Sequence, residues 1–352
     1  MASSEASISE AAWRRTLADG VVIPALPLAL EENGTWSEVH QRALLRYYRD
    51  AGAGGVAVAV HSTQFAIRDP RHGLLEPVLR LAAEVMDAFQ DPGFVRIAGV
   101  CGPTEQAHAE AELAGKLGYH AALLSLAALG DAPEHEMLAH VREVSNVLPV
   151  IGFYLQPSIG GQVLSYGFWR EFCELENVVA IKVAPFNRYA TWDVVRAVID
   201  SGREDLALYT GNDDQIILDL LTPFTWQGKT RSMAGGLLGQ WGLGTKRAVE
   251  LLEEIKRART EPTISAEWLA RNVALTDVNA AVFDVANGFA GCIPGILEVL
   301  RRQGLVPSTR CLDPGEQLSP GQVEELDRVI QAYPEWSDDA FVQANLEGWL
   351  SR

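Results

Sequence analysis

Cysteine is scarce in this chain: there are four among 352 residues, at positions 101, 173, 292 and 311, with no C-x-x-C pair. That scatter weighs against a disulfide framework or a thiolate metal site and fits a reducing, cytoplasmic setting. Basic residues are also short. Lys and Arg number 29 against 46 Asp and Glu, giving a net charge of −17 and a pI near 4.8. Such an acidic chain is a poor match for nucleic acid or an anionic membrane. No run approaches the ~20 apolar residues of a membrane span. The first nine residues are small and polar without an apolar stretch, so no secretion signal is expected. Internal repeats and low-complexity segments are missing as well. So is the G-x-G-x-x-G turn that opens a nucleotide-binding sheet.

What is present is apolar and regularly interrupted. Hydrophobic residues make up 48% of the chain, enough for one large α/β domain with an appendage, or for two domains. Residues 1–19 read as a loose lead with a short helix around 10–17. A first strand at 20–28 carries Pro24 and Pro27, which suggest an irregular end, and 36–51 has helical periodicity. Strands at 55–60, 94–100, 121–126, 150–154, 178–182 and 206–210 then alternate with helices. Those helices fall at 72–89, 103–117, 131–146, 165–175, 191–200 and 213–221. A weak strand at 229–233 and a helix at 242–257 complete eight strand–helix units. That order and size, about 240 residues, predict a (β/α)8 TIM barrel. A doubly wound open sheet is the rival, but Pro24 and Pro27 stand where its glycine-rich turn would be. Beyond 265 only helical patterns remain, at 266–287, 293–303 and 320–333. The reading is a lead (1–19), a barrel (20–260) and a C-terminal helical extension (261–352).

In such a barrel the reactive groups sit at the C-terminal ends of the strands. One of those ends holds a lysine. Val-Val-Ala-Ile-Lys-Val at 178–183 is a buried strand closing on Lys182, whose amine would stand in a dry pocket. Desolvation disfavours the ammonium, which is what a Schiff-base nucleophile requires. Val-Ile-Gly-Phe-Tyr at 150–154 closes on Tyr154, 28 residues earlier, a candidate for proton transfer. His61, Ser62 and Thr63 follow the second strand, and Gly211 to Asp214 the seventh. Gly235 and Gly236 follow the segment taken as the eighth. Plainer roles compete. Ser62 and Thr63 suit a turn or cap, His61 a polar wall, Asp213 and Asp214 a helix start, and Gly235 a turn.

Taken together, these pieces resemble the dihydrodipicolinate synthase / N-acetylneuraminate lyase superfamily of class I aldolases. The resemblance runs over roughly 18–335. It rests on Pro24 to Pro27, on His61 to Phe65 where the family has Gly-Thr-Thr-Gly-Glu, and on Tyr154-x-x-Pro157. Ile181-Lys182 and Gly211-Asn212-Asp213-Asp214 add to it. It implies an imine between Lys182 and pyruvate or a related 2-oxo acid, with Tyr154 as general acid/base. Ser62, Thr63 and His61 would bind the carboxylate, with Gly211, Gly235 and Ile159 at the substrate. It implies no metal, no organic cofactor and a homo-oligomer, tetramer or dimer. Departures point to the partner substrate. Ile159 stands where dihydrodipicolinate synthases carry an arginine, and Leu126 to Leu129 offer no relay tyrosine. The pocket would be apolar, with Ile159, Phe186, Phe65 and Trp241 as rim candidates, which suits an uncharged aldehyde. A sugar-acid dehydratase using the same imine, and a non-catalytic 2-oxo-acid sensor, are the alternatives.

Overall fold

A computed structural model of the chain describes residues 2–351. Eight parallel strands form its centre: β1 (Val22–Pro24), β2 (Gly55–Val58), β3 (Val95–Val100), β4 (Ala121–Leu124), β5 (Val150–Leu155), β6 (Val178–Ala184), β7 (Ala207–Thr210) and β10 (Gly235–Leu238). Their order is β1-β10-β7-β6-β5-β4-β3-β2, and a parallel bridge from Ala25 to Ala57 joins the two ends into a barrel. Parallel strands covered on both faces need apolar residues throughout. That is why these segments read as largely apolar runs, with Arg96 and Lys182 the charged exceptions, rather than as alternation.

Helices α2 (Glu38–Asp50), α3 (Leu75–Asp87), α4 (Thr104–Lys116), α5 (Glu134–Ser145), α6 (Tyr166–Phe172), α7 (Arg188–Ser201), α8 (Ile216–Leu221) and α9 (Thr245–Ala258) surround the strands. Each lays an apolar stripe on the sheet. In α9 the buried set is Ala248, Leu251, Leu252 and Ile255, the spacing of one helical face. Between α8 and the last strand lies a two-stranded hairpin, β8 (Phe224–Trp226) with β9 (Lys229–Arg231). This corrects the expectation of an eighth strand at 229–233. That segment pairs outside the barrel, and the barrel strand is the four-residue Gly-Gly-Leu-Leu run after it.

The lead also differs from expectation. Helix α1 spans Ala2–Asp19, with neither Gly nor Pro inside it, and stops at Gly20, whose φ is +81°. Trp13 and Leu17, one turn apart, bury into the N-terminal floor of the barrel among Ile23, Ile97, Ala121 and Tyr209. Trp13 stacks on His120 at 5.2 Å, and the Tyr209 hydroxyl donates to the Leu17 carbonyl at 2.8 Å. The lead is therefore a plug.

Helices α10 (Glu267–Val282), α11 (Cys292–Arg302), α12 (Gln322–Ala332) and α13 (Asp339–Ser351) follow the barrel. Asp338 ties them down. It accepts from the Tyr47 hydroxyl at 2.6 Å and from the Lys246 and Arg247 amides at the start of α9, at 2.7 and 3.0 Å. At the other end of α13, the Trp349 indole donates to Asp50 at 2.7 Å. None of the described helices is long and apolar enough to cross a membrane.

Candidate active site

Side chains on a strand alternate between faces, so every other residue of β5 and β6 enters the barrel. On β6 the inward set near the mouth is Ala180, Lys182 and Ala184. A register shift opposite Val150 and Ile151 sets that phase. On β5 the inward residues are Ile151, Phe153 and Leu155. Val150, Gly152 and Tyr154 face the helices. A Cβ on Gly152 would lie 2.7 Å from the Phe172 ring of α6, which shows where that face points.

Tyr154 therefore does not meet Lys182, which corrects the sequence reading. Its ring packs on Trp169 at 5.2 Å. Its hydroxyl donates to the Leu164 carbonyl at 3.2 Å and accepts from the Leu164 amide at 3.3 Å. The residue paired with Lys182 across the strands is Phe153, and the Lys182 Nζ sits 4.3 Å from the centre of that ring. The family's spacing leads to Tyr154; the pleat presents its neighbour.

Lys182 opens onto a cavity of about 80 Å³ at the C-terminal mouth. His61 and Ser62 from the end of β2, Gln156 and Ile159 after β5, Phe186 after β6, and Gly211 and Asp213 after β7 line it. Phe283, Phe289, Cys292 and Ile296, from the α10–α11 region, close it from above. Four of the expected site residues besides Lys182 are thus brought together: His61, Ser62, Gly211 and Ile159. Two are not. Thr63 turns away from the cavity, donating to the Leu26 carbonyl at 2.6 Å and accepting from the Val60 amide at 3.2 Å. Gly235 begins the last barrel strand rather than following it. It packs at the opposite, N-terminal end, where a Cβ would sit 2.3 Å from the Val21 carbonyl oxygen. Of the rim candidates, Phe186 and Ile159 line the cavity. Trp241 is fully buried elsewhere, and Phe65 lies beside His61, with ring centres 6.0 Å apart.

The electrostatics of the cavity follow from its dryness. Burial pulls the Lys182 ammonium well below the ordinary lysine value, against the opposing charge of Asp213. Burial also lifts the Asp213 carboxyl well above the usual carboxylate range; the Lys182 charge opposes that rise and Asp214 adds to it. Among the described residues, no carboxylate oxygen comes within 4.0 Å of the Lys182 nitrogen, so the amine is not locked in an ion pair. His61 is held down to about 4, first by burial and then by the Lys182 charge, so its ring is neutral near pH 7.

Asp213 and Asp214 are not the helix cap that the sequence suggested. Helix α8 starts at Ile216 behind Gln215, which makes no capping side-chain bond. The two carboxylates stand in the loop before it, and helix α10 holds that loop. Asn279 donates to the Asp213 carbonyl at 2.7 Å and Thr276 to the Asp214 carbonyl at 2.8 Å. Oδ1 of Asp213 and Nε2 of Gln156 are both sealed from solvent without a hydrogen-bond partner. Sequence reasoning placed Gln156 at the mouth without a role and missed Phe153 and the α10–α11 residues; only the Gly-Asn-Asp-Asp motif had flagged Asp213, for another role.

The backbone at the mouth is strained. Of the seven non-glycine residues with positive φ among the described residues, five are around it: Ala59, Gln64, Phe186, Asp284 and Phe289. Each costs of the order of 1–3 kcal/mol and persists only where neighbours enforce it. The enforcers are visible. Arg68 donates to the Ala59 and Gly99 carbonyls at 3.2 and 2.9 Å while paired with Glu110. Asn212 accepts from the Phe186 amide at 3.0 Å and donates to buried Asp219 at 2.9 Å. Asp219 also takes the Thr210 hydroxyl at 2.7 Å and pairs with Arg188. Asp284 receives the Gly291 amide at 2.9 Å and the Ser319 hydroxyl at 2.5 Å.

A closed (β/α)8 barrel with one dry lysine at the end of its sixth strand defines the class of protein. The family is specific: residues 21–224 match the model of the dihydrodipicolinate synthetase family, and the chain belongs to that family. Solved structures agree on the fold. N-acetylneuraminate lyase from Fusobacterium nucleatum is 17% identical, with a TM-score of 0.71 over 90% of this chain and 99% of that one. A prophage protein of the dihydrodipicolinic acid synthase family from E. coli K12, solved with pyruvate, is 16% identical, at 0.71 over 89% and 97%. A monomeric dihydrodipicolinate synthase variant is 18% identical, at 0.72 over 90% and 98%. No curated protein sequence matches.

Proposed function

We propose that the protein is a class I aldolase-type lyase that binds pyruvate or a related small 2-oxo acid as an imine on Lys182. One observation carries the reading: the Lys182 amine is desolvated, unpaired by any carboxylate among the described residues, and turned into a small cavity at the barrel mouth. A neutral amine is the nucleophile that attacks a keto carbon, and burial makes it available closer to neutral pH. The resulting iminium withdraws electrons from the adjacent carbon, so the reaction calls for no organic cofactor. Ser62 Oγ, held only weakly by the Leu26 carbonyl at 3.3 Å, neutral His61 and the unpartnered Nε2 of Gln156 supply donors for the carboxylate.

The remaining wall favours an uncharged partner. Phe153, Phe186, Phe283, Phe289, Ile159 and Ile296 form most of it, and among the described residues no arginine lines it. An aldehyde bearing a carboxylate would lose its hydration there without a countercharge. The hydroxyls of a sugar acid would likewise find few partners, which ranks the dehydratase reading second. One observation favours a non-catalytic sensor, namely the phenol of Tyr154 facing away. Turnover separates the two. A screen of aldehydes with pyruvate is expected to give steady turnover with an uncharged aldehyde, lost in Lys182→Ala. Reversible binding of 2-oxo acids with no turnover for any aldehyde or sugar acid would instead establish the sensor. No membrane or nucleic-acid partner is part of this reading, and a homo-oligomer in the cytoplasm is the proposed setting.

A further inference from the structure

The imine chemistry needs a group that moves protons at the reacting carbon, and the phenol that should do so is walled off behind the sheet. Any replacement must border the same cavity as Lys182 and have a free lone pair. His61 borders it, but its ring is depressed to about 4 and binds a proton poorly. Cys292 borders it with its thiol pushed well up, chiefly by burial, and is a weak acid there. Asp214 lies outside the lining. Asp213 meets both conditions. It lines the cavity, its Oδ1 has no partner, and its backbone is fixed by Asn279. Gly211, two residues before it, lies against the Lys182 side chain: a Cβ there would be 2.7 Å from Cε. The β7 loop and the lysine are thus in direct contact.

Resting on the aldolase reading above, we propose that Asp213, not Tyr154, is the catalytic acid/base that serves the Lys182 imine. The steps balance from a neutral amine and a protonated Asp213. Nζ attacks the keto carbon and the N–C bond forms. Asp213 hands its proton to the former carbonyl oxygen and takes one from nitrogen, giving the carbinolamine. It then gives that proton to the hydroxyl, the C–O bond breaks, and water leaves. The products are an iminium and an Asp213 carboxylate, one positive and one negative charge from two neutral groups. The carboxylate next takes a proton from the adjacent methyl carbon, giving a neutral enamine. When the enamine attacks the aldehyde, Asp213 returns the proton to the new alkoxide. A carboxyl lifted by burial suits both directions, because general acid/base work is most effective near the operating pH.

The test is exchange of pyruvate methyl protons for deuterium in heavy water, followed by NMR on the full chain and two variants. The folded state of each is checked by thermal unfolding. Asp213→Asn is expected to lose at least ~100-fold in exchange rate, the usual worth of a general base. Tyr154→Phe is expected to stay within about threefold of the parent, since its ring packing survives. Full exchange in Asp213→Asn, or loss in Tyr154→Phe, overturns the assignment. If Asp213→Asn fails to fold, the Tyr154→Phe result decides alone: retained exchange supports the assignment and lost exchange overturns it. A parent chain that traps neither pyruvate nor any other 2-oxo acid under borohydride overturns the aldolase reading itself, and the assignment with it.

Discussion

Adding one methyl group at Gly211 tests the packing behind the lysine more sharply than removing the lysine. A Cβ there would lie 2.7 Å from Lys182 Cε, 2.8 Å from Ala184 Cβ and 3.2 Å from Lys182 Cγ. Carbon atoms sit comfortably at about 3.5–4.0 Å, so the methyl must displace its neighbours by several tenths of an ångström. Ala184 is on the barrel strand and cannot yield without moving β6. Lys182 can rotate, but only by swinging Nζ off its position over Phe153. Overpacking of this kind costs about 1–3 kcal/mol. At roughly 2–4 °C per kcal/mol for a large domain, Gly211→Ala is expected to lower Tm by about 2–12 °C. It should also slow borohydride trapping of pyruvate by at least ~10-fold, because an ångström of misplacement at a reacting group is expensive. Circular dichroism reads the first effect and intact mass spectrometry the second. A Gly211→Ala protein with parental Tm and parental trapping would refute the placement of the lysine against this loop.

Other perturbations separate the mouth from the rest of the barrel. Gly152→Ala drives a Cβ to 2.7 Å from the Phe172 ring on the helix-facing side; chemical denaturation should show a loss of about 1–3 kcal/mol, with trapping unchanged. Trp13→Ala empties the floor and should cost about 3–5 kcal/mol, again without slowing trapping below the melting temperature; a barrel as stable as the parent would contradict the plug. His61 gives a pH test. Its folded pKa, near 4, lies below its ordinary 6.5, so the unfolded chain binds the extra proton first and stability falls as pH drops through that window. His61→Asn should flatten the stability-versus-pH curve between pH 6.5 and 4 by up to about 3 kcal/mol, and an unchanged slope would count against a buried neutral ring.

Much of the fold could be read from the chain because parallel strands and amphipathic helices carry different periods. The lysine strand stood out for the same reason: four aliphatic residues and then a charge are hard to place except at a strand end. What failed has identifiable causes. The Val-Ile-Gly-Phe-Tyr run is apolar on both faces, so its pleat phase is not written in it. Gly152, small because Phe172 occupies its space, was the hint. A shift of one residue exchanges Phe153 for Tyr154 at the amine. The eighth strand is two glycines and two leucines, a weaker strand signal than the Lys-Thr-Arg segment before it, which pairs with Phe224 to Trp226 instead. Asp213 looked like a cap because helix α8 begins just after it. Contacts from α10, far along the chain, help hold it at the cavity. The closing phenylalanines, Phe283 and Phe289, arrive from the same distant region, and nothing local marks them.

The most direct measurement is peptide mapping after incubation with pyruvate and borohydride. The expected result is one modified peptide, carrying a reduced pyruvyl group on Lys182, with no label when that residue is alanine. Label on any other lysine, or none with pyruvate or any other 2-oxo acid, would contradict the account.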